Sequence, residues 1–187
     1  MKVTDAIIKR RTKRKYTNQR VSRDLLETLV ELARFAPMGA NLQPLKYAII
    51  DGELSKKVFP LTKWSGYHPE DAPEDSEMPP CYIAILGDNE IKQNGQFETD
   101  AGTAGATICL AAEELGLSTC WLGAIKREEI KELLGLSEKY SLLYLIAVGY
   151  SEQKADYVDA KGDIKYFMNG DVLTVPKRTL DEILVEI

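Results

Sequence analysis

The chain has 187 residues, 44% of them hydrophobic and 28% charged, with a formal net charge of −5. That supplies apolar material for one ordinary core, and the default organisation is a single domain over residues 1–187. The acidic balance argues against general nucleic-acid binding, which needs a basic surface, and no apolar run approaches the length of a membrane span.

Charges interrupt the N-terminal residues where a secretion signal needs a hydrophobic stretch, so a cytoplasmic setting is expected. Cys81, Cys109 and Cys120 are odd in number and set among apolar residues, which predicts buried, reduced thiols rather than disulfides or zinc ligands. The one histidine, His68, stands in a Pro-rich acidic stretch with no cysteine at metal-ligand spacing. No metal site and no His-centred catalytic triad is expected.

In chain order, Val3, Ile7 and Ile8 lie at helical spacing and predict a helix from Val3 to Arg10, followed by a basic turn. Ser22 stands where an N-cap hydroxyl belongs, ahead of Leu25, Leu26, Leu29, Val30, Leu32 and Ala33, so a second, amphipathic helix should run to about Ala36, before Pro37. The stretch from Met38 to Pro44 holds Gly, Asn and Pro and reads as a loop feeding a strand from Leu45 to Ile50. Lys63 to Pro80, rich in Pro, Asp and Glu, reads as a long loop, either a lid or a solvated excursion.

Beyond it, Cys81 to Leu86 predicts a buried strand, and Phe97 to Leu115 a long helix ended by Gly116. That helix accepts Gly102 and Gly105 in its interior at roughly 1 kcal/mol each, a cost that close packing offsets. The neighbour is either another element of the same subunit or a second subunit. Ser118 to Leu122 predicts a short strand, Lys126 to Leu134 a helix, and Ser141 to Val148 a strand closed by Gly149. The tail, residues 151–187, holds too few apolar residues for a domain of its own and reads as an arm.

Five of the six residues from Arg10 to Lys15 are basic, and Thr12 adds a hydroxyl among them. Guanidinium forks and hydroxyls give charge-assisted hydrogen bonds to a phosphate dianion. One helix downstream, Asn41 and Gln43 offer donors and acceptors suited to a heterocycle.

RRTKRKYT at 10–17, APMGANLQP at 36–44, the small-residue helix from Asp100 to Leu115, GLSTCWLG at 116–123, the strand ending in Gly149 and the late Pro176-Lys177-Arg178 follow in this order. Together they resemble the FMN-dependent nitroreductase family over nearly the whole chain. The resemblance implies an α+β fold, with a central mixed, mainly antiparallel sheet flanked by helices. It also implies a C-terminal arm packing on the partner subunit of a homodimer, with FMN held between subunits.

It implies further that Arg10 and Thr12, with Arg11 nearby, hold the FMN phosphate and ribityl oxygens, and that Lys177 and Arg178 return to the phosphate. Arg14 would lie near flavin N1 and the C2 carbonyl, favouring the reduced ring electrostatically. Met38, Gly39, Asn41 and Gln43 match the loop a partner lends to the flavin; the family often has serines where this chain has Met38 and Gly39, so backbone contacts alone carry over there. Leu122 and Gly123 match the segment whose backbone N–H groups face N5 and O4.

The activity so implied is transfer of hydride from NADH or NADPH through flavin N5 to a nitroaromatic, quinone or similar small acceptor, with no protein nucleophile. Two alternatives share these features: a reductive dehalogenase or flavin-consuming relative of the same fold, and an FMN-binding protein with little turnover.

Overall fold

The computed structural model describes residues 1–64, 67–68 and 71–187. The loop expected over Lys63 to Pro80 therefore lies partly outside the described residues, at 65, 66, 69 and 70. Among the described residues of that loop, the 3-10 turn Asp75–Glu77 is closed by a capping box between Glu74 and Glu77.

Helix α1 (Val3–Lys9) precedes the basic turn. Helix α2 (Arg23–Ala33) starts where the Ser22 hydroxyl accepts from the Leu25 N–H at 3.3 Å, and it buries Leu26, Leu29 and Ala33 along one face. Strand β1 (Leu45–Asp51) runs directly into a short helix α3 (Gly52–Val58), which the sequence reading did not foresee. Strand β2 (Cys81–Asp88), helix α4 (Glu98–Glu114), strand β3 (Ser118–Leu122), helix α5 (Arg127–Leu133) and strand β4 (Tyr140–Gly149) follow within two residues of their expected bounds.

Strands β1 to β4 form one sheet in the order β1-β2-β4-β3. Every ladder in it is antiparallel; the parallel component is confined to an isolated bridge from Thr12 to Thr119 at its edge. The β2 strand is buried along its whole length because both of its faces are covered. Cys81, Ile83 and Ile85 point into a core layer shared with α2 and α4. Tyr82, Ala84 and Leu86 point the other way, into a layer with Ile50, Val58 and Ile130, the last two from α3 and α5. This is strand alternation with a core on either side.

One irregularity interrupts the alternation. Ile85 pairs with Tyr144 but Leu86 pairs with Leu142, so Leu143 is an extra residue in β4, a β-bulge.

The tail holds β5 (Lys154–Asp159), β6 (Phe167–Asn169) and β7 (Val172–Lys177), which form a second sheet in the order β5-β7-β6, and a last short helix α6 (Leu180–Ile183). Here β5 pairs with β7 in parallel and β6 with β7 antiparallel. The arm is thus a small mixed sheet with a closing helical turn, strands that the sequence reading of an arm had not named.

Candidate functional site

The basic turn lies extended along the free edge of β3. Thr12 bridges Thr119, and the Lys13 N–H donates to the Thr119 carbonyl at 3.1 Å. Arg10 and Thr12 open on a cleft of about 380 Å³, which they share with Thr119 and Trp121 on one side and with Ala106 and Leu110 of α4 on the other. The lining contains one guanidinium and two hydroxyls and no carboxylate.

Arg11 points elsewhere and is only 7% exposed. Its Nη1 donates to the Arg10 carbonyl at 2.6 Å, its Nε has no hydrogen-bond partner, and its guanidinium lies 5.0 Å from the Tyr157 ring centre. Burial, followed by the neighbouring Arg10 charge, lowers its pKa, against the pull of Asp156 and Tyr157. Arg14 is likewise matched to the arm: its N–H donates to the Gln153 side chain at 2.9 Å, and its guanidinium lies 4.7 Å from the Tyr166 ring centre. Tyr166 in turn meets Tyr67 and His68 by ring contact, and His68 Nε2 lies 2.9 Å from the Tyr166 carbonyl oxygen.

Lys177 closes β7, where it pairs with Asp159 of β5, two residues along from Tyr157. With Arg178 next in the chain, the small sheet carries this late basic pair to the end of the strand whose Tyr157 covers Arg11. Gln153, Tyr157 and Tyr166 were absent from the sequence-derived site; their sequence signal was only an aromatic, charged tail.

Leu122 and Gly123 end β3. Leu122 is buried in the second core layer. The Gly123 carbonyl accepts from Arg127 Nη2 at 3.0 Å, and the same nitrogen donates at 3.1 Å to the Leu143 carbonyl at the bulge. Trp121, one residue earlier, packs edge-on to Tyr144, with ring centres 5.2 Å apart, and fills the space beside Gly105, where a Cβ would collide with its indole. One of the two α4 glycines is therefore explained by a neighbour in the same subunit. A Cβ on Gly102, in contrast, would meet nothing within 4 Å among the described residues beyond its own stretch of helix.

The Met38–Gln43 loop stands apart from the basic turn within the chain. It is tied to the first turns of α4, where Gly39 N–H donates to Asp100 Oδ1 at 3.2 Å and Thr103 Oγ1 donates to the Pro37 carbonyl at 2.9 Å. Met38 and Gln43 line a different hollow, of about 720 Å³, beside Tyr47 and Tyr140. Ala40, Asn41 and Gln43 all adopt left-handed backbone, with φ of 49°, 53° and 50°. Such strain in non-glycine residues costs on the order of 1–3 kcal/mol each and gathers at functional sites.

No group of carboxylate, His or Cys side chains that could hold a metal occurs among the described residues, and no helix among them is long and apolar enough to cross a membrane. The three thiols are buried and unpaired with one another.

Comparison with known proteins adds to this geometry. A family model described as "Nitroreductase family" matches residues 7–150. An Archaeoglobus fulgidus protein with the provisional name NADH dehydrogenase/NAD(P)H nitroreductase is 27% identical over 161 residues, covering 82% of this chain and 88% of its own. An FMN-dependent nitroreductase from Clostridium difficile R20291 superposes with a TM-score of 0.66 at 27% identity, over 81% of this chain and 88% of its own. A Desulfovibrio desulfuricans protein, provisionally named a nitroreductase and solved in complex with FMN, shares the fold over 99% of this chain and 96% of its own, with a TM-score of 0.75 at 24% identity. The match from α1 through the end of β4 takes in the basic turn, the loop at 38–43 and the end of β3, and on this ground the chain belongs to the nitroreductase family.

Proposed function

We propose that residues 1–187 act as one FMN-binding unit of a homodimeric oxidoreductase. Hydride would be taken from NADH or NADPH and the reducing equivalents passed to a nitroaromatic, quinone or similar small acceptor. The observation that carries this reading is the cleft beside the basic turn. It presents Arg10, Thr12 and Thr119 without an opposing carboxylate, a donor set that fits a phosphate.

Arg10 and Thr12 would bind that phosphate, with Lys177 and Arg178 adding charge from the end of β7. Arg11, covered by Tyr157, would raise the local positive potential and keep the arm in place. Arg14 would stand at the electron-rich end of the flavin, where a fixed cation favours negative charge. Leu122 and Gly123 would offer backbone N–H groups, and Arg127 would hold that backbone by its Gly123 carbonyl. Bound FMN would supply the hydride chemistry, so no side chain is needed as nucleophile.

The separation of the Met38–Gln43 loop from the basic turn supports a site completed by a second copy, with the loop of one subunit serving the cofactor of the other. Exposed apolar side chains point the same way: Val3, Ile7 and Ile8 on α1, and Leu180, Ile183 and Val185 at the end of the arm. A surface of this kind is expected to be covered by another subunit.

The first test is the visible spectrum of the purified protein, before and after adding NADH and then NADPH without oxygen. A flavin band that bleaches supports the reading, and a band that persists favours an FMN-binding protein with little turnover. No flavin uptake refutes it. Arg10→Ala and Arg178→Ala should each weaken FMN retention by about 1.5–3 kcal/mol, the worth of a hydrogen bond to a charged group. Unchanged affinity in both variants would remove these residues from the phosphate site.

A further inference from the structure

We propose that Asp100 is a positioning residue for the Met38–Gln43 loop, fixing through Gly39 the backbone geometry that this loop presents to the flavin. The proposal rests on the reading above, in which the loop meets FMN.

Asp100 is 3% exposed, although it stands in the first turn of α4, where an acid is favoured by the helix N-terminus. Its two oxygens have separate tasks. Oδ2 takes the Lys92 ammonium at 2.8 Å, and Oδ1 accepts the Gly39 N–H at 3.2 Å. An ionised carboxylate only accepts, so with one oxygen held by Lys92 the other can serve only a donor, which fixes which way the Gly39 peptide faces. Three residues on, one helical turn along the same face, the Thr103 hydroxyl lies 2.9 Å from the Pro37 carbonyl and shares its one proton with the Asp100 carbonyl of its own helix, also at 2.9 Å. The chain is thus held at both ends of Met38.

Immediately beyond this tie the backbone turns left-handed at Ala40, Asn41 and Gln43. Residues 39 to 43 are exposed, so no core packing holds them there. A strained conformation persists only when its surroundings over-determine it; beside the loop's own bonds from the Asn41 N–H to the Met38 carbonyl and the Leu42 N–H to the Gly39 carbonyl, the buried Asp100 carboxylate, held by Lys92, ties the loop to the rest of the fold at Gly39. Core stability does not account for a buried acid used to orient an exposed loop; presentation of that loop to a ligand does.

The experiment uses the purified full chain and measures FMN dissociation constants by flavin fluorescence, thermal midpoints, and hydrogen exchange at the Gly39 amide in the FMN-free protein. The variants are Asp100→Ala, Asp100→Asn and Lys92→Met. Asp100→Ala removes the acceptor for Gly39; Asp100→Asn and Lys92→Met break the ion pair but leave that acceptor. All three should melt earlier than the wild type. Only Asp100→Ala should raise the FMN dissociation constant about tenfold or more, the scale of a lost buried hydrogen bond, and only it should lose Gly39 protection.

If FMN affinity instead falls in step with the thermal midpoint across all three, Asp100 acts through stability alone and the proposal is overturned. Asn41→Ala and Gln43→Ala separate the two layers of argument. Should both of these and Asp100→Ala bind FMN as the wild type does, the loop does not meet the cofactor, and the functional reading of the loop falls together with the proposal. Should they weaken FMN while Asp100→Ala does not, the proposal alone falls.

Discussion

Gly105→Ala sets two known effects against each other. Replacing a helix-interior glycine by alanine ordinarily stabilises by about 1 kcal/mol. Here the new methyl would lie 2.3 Å from two carbons of the six-membered ring of Trp121, so the indole must move. Tyr144 stands edge-on to it at 5.2 Å, and the Trp121 backbone is locked to Ile146 in the β3–β4 ladder. Overpacking of this sort costs about 1–3 kcal/mol, and since a whole indole must move, the upper part of that range applies. The net expectation is a loss of about 1–2 kcal/mol, which for a chain of this size lowers the thermal midpoint by roughly 2–8 °C. Circular dichroism melts give the midpoint, and Trp121 fluorescence, read in a Trp64→Phe background, reports whether the indole has shifted. Adding Trp121→Leu to Gly105→Ala should recover much of the loss, because the two sites are in contact and their effects should not add. A higher midpoint for Gly105→Ala alone would refute the reasoning, since helix propensity would then outweigh the steric conflict.

Two further outcomes follow from the core and from a helix end. Burial raises the Cys81 and Cys120 thiols to about 12, above the unfolded value of 9.0, so their contribution is complete below pH 9 and declines as pH rises towards 12. Stability should fall there by up to about 1.4 kcal/mol per thiol per pH unit. Urea unfolding between pH 8.5 and 10.5 reads this, and an unchanged free energy would contradict the burial of the thiols. Ser22→Ala removes the acceptor for the Leu25 N–H and should cost about 1 kcal/mol, seen as a lower thermal midpoint; an unaltered midpoint would mean that the hydroxyl does not cap α2.

Where a local pattern and the tertiary environment agree, the elements were legible. Ser118 to Leu122 is strand β3 at the expected bounds because a short, nearly continuously buried run and the following glycine act on neighbouring residues. Helix α3 was missed although Leu54 and Val58 are four residues apart and Lys56 and Lys57 occupy its last turn; it is short, and Asp51-Gly52 reads equally well as the end of a strand. The arm's strands were missed for a different reason. Five of the six residues of β5 are exposed, its partner β7 joins it in parallel from beyond β6, and the contact of Tyr157 with Arg11 crosses most of the chain.

The candidate site divides in the same way. The basic turn declared itself by composition, but the loop at 38–43 concealed its conformation, because Ala40 and Gln43 carry no residue-type signal for left-handed backbone. Gly105 announced a close neighbour without naming it; Trp121 stood within the motif at 116–123 already singled out.

The bulge at Leu143 gives β4 something like a reading frame. From Val148 down to Tyr144 the strand keeps step with β2, and one additional residue then lets Leu142 face the same layer as Leu145. Deleting Leu143 would remove the residue that stands outside the alternation and leave Leu142 opposite Leu86 in the same layer, but it would withdraw the carbonyl that Arg127 holds together with Gly123. A change of length in β4 therefore turns the rest of the strand over at a paired position but leaves its facing intact at the bulge, where the loss falls on the Arg127 tie to the end of β3.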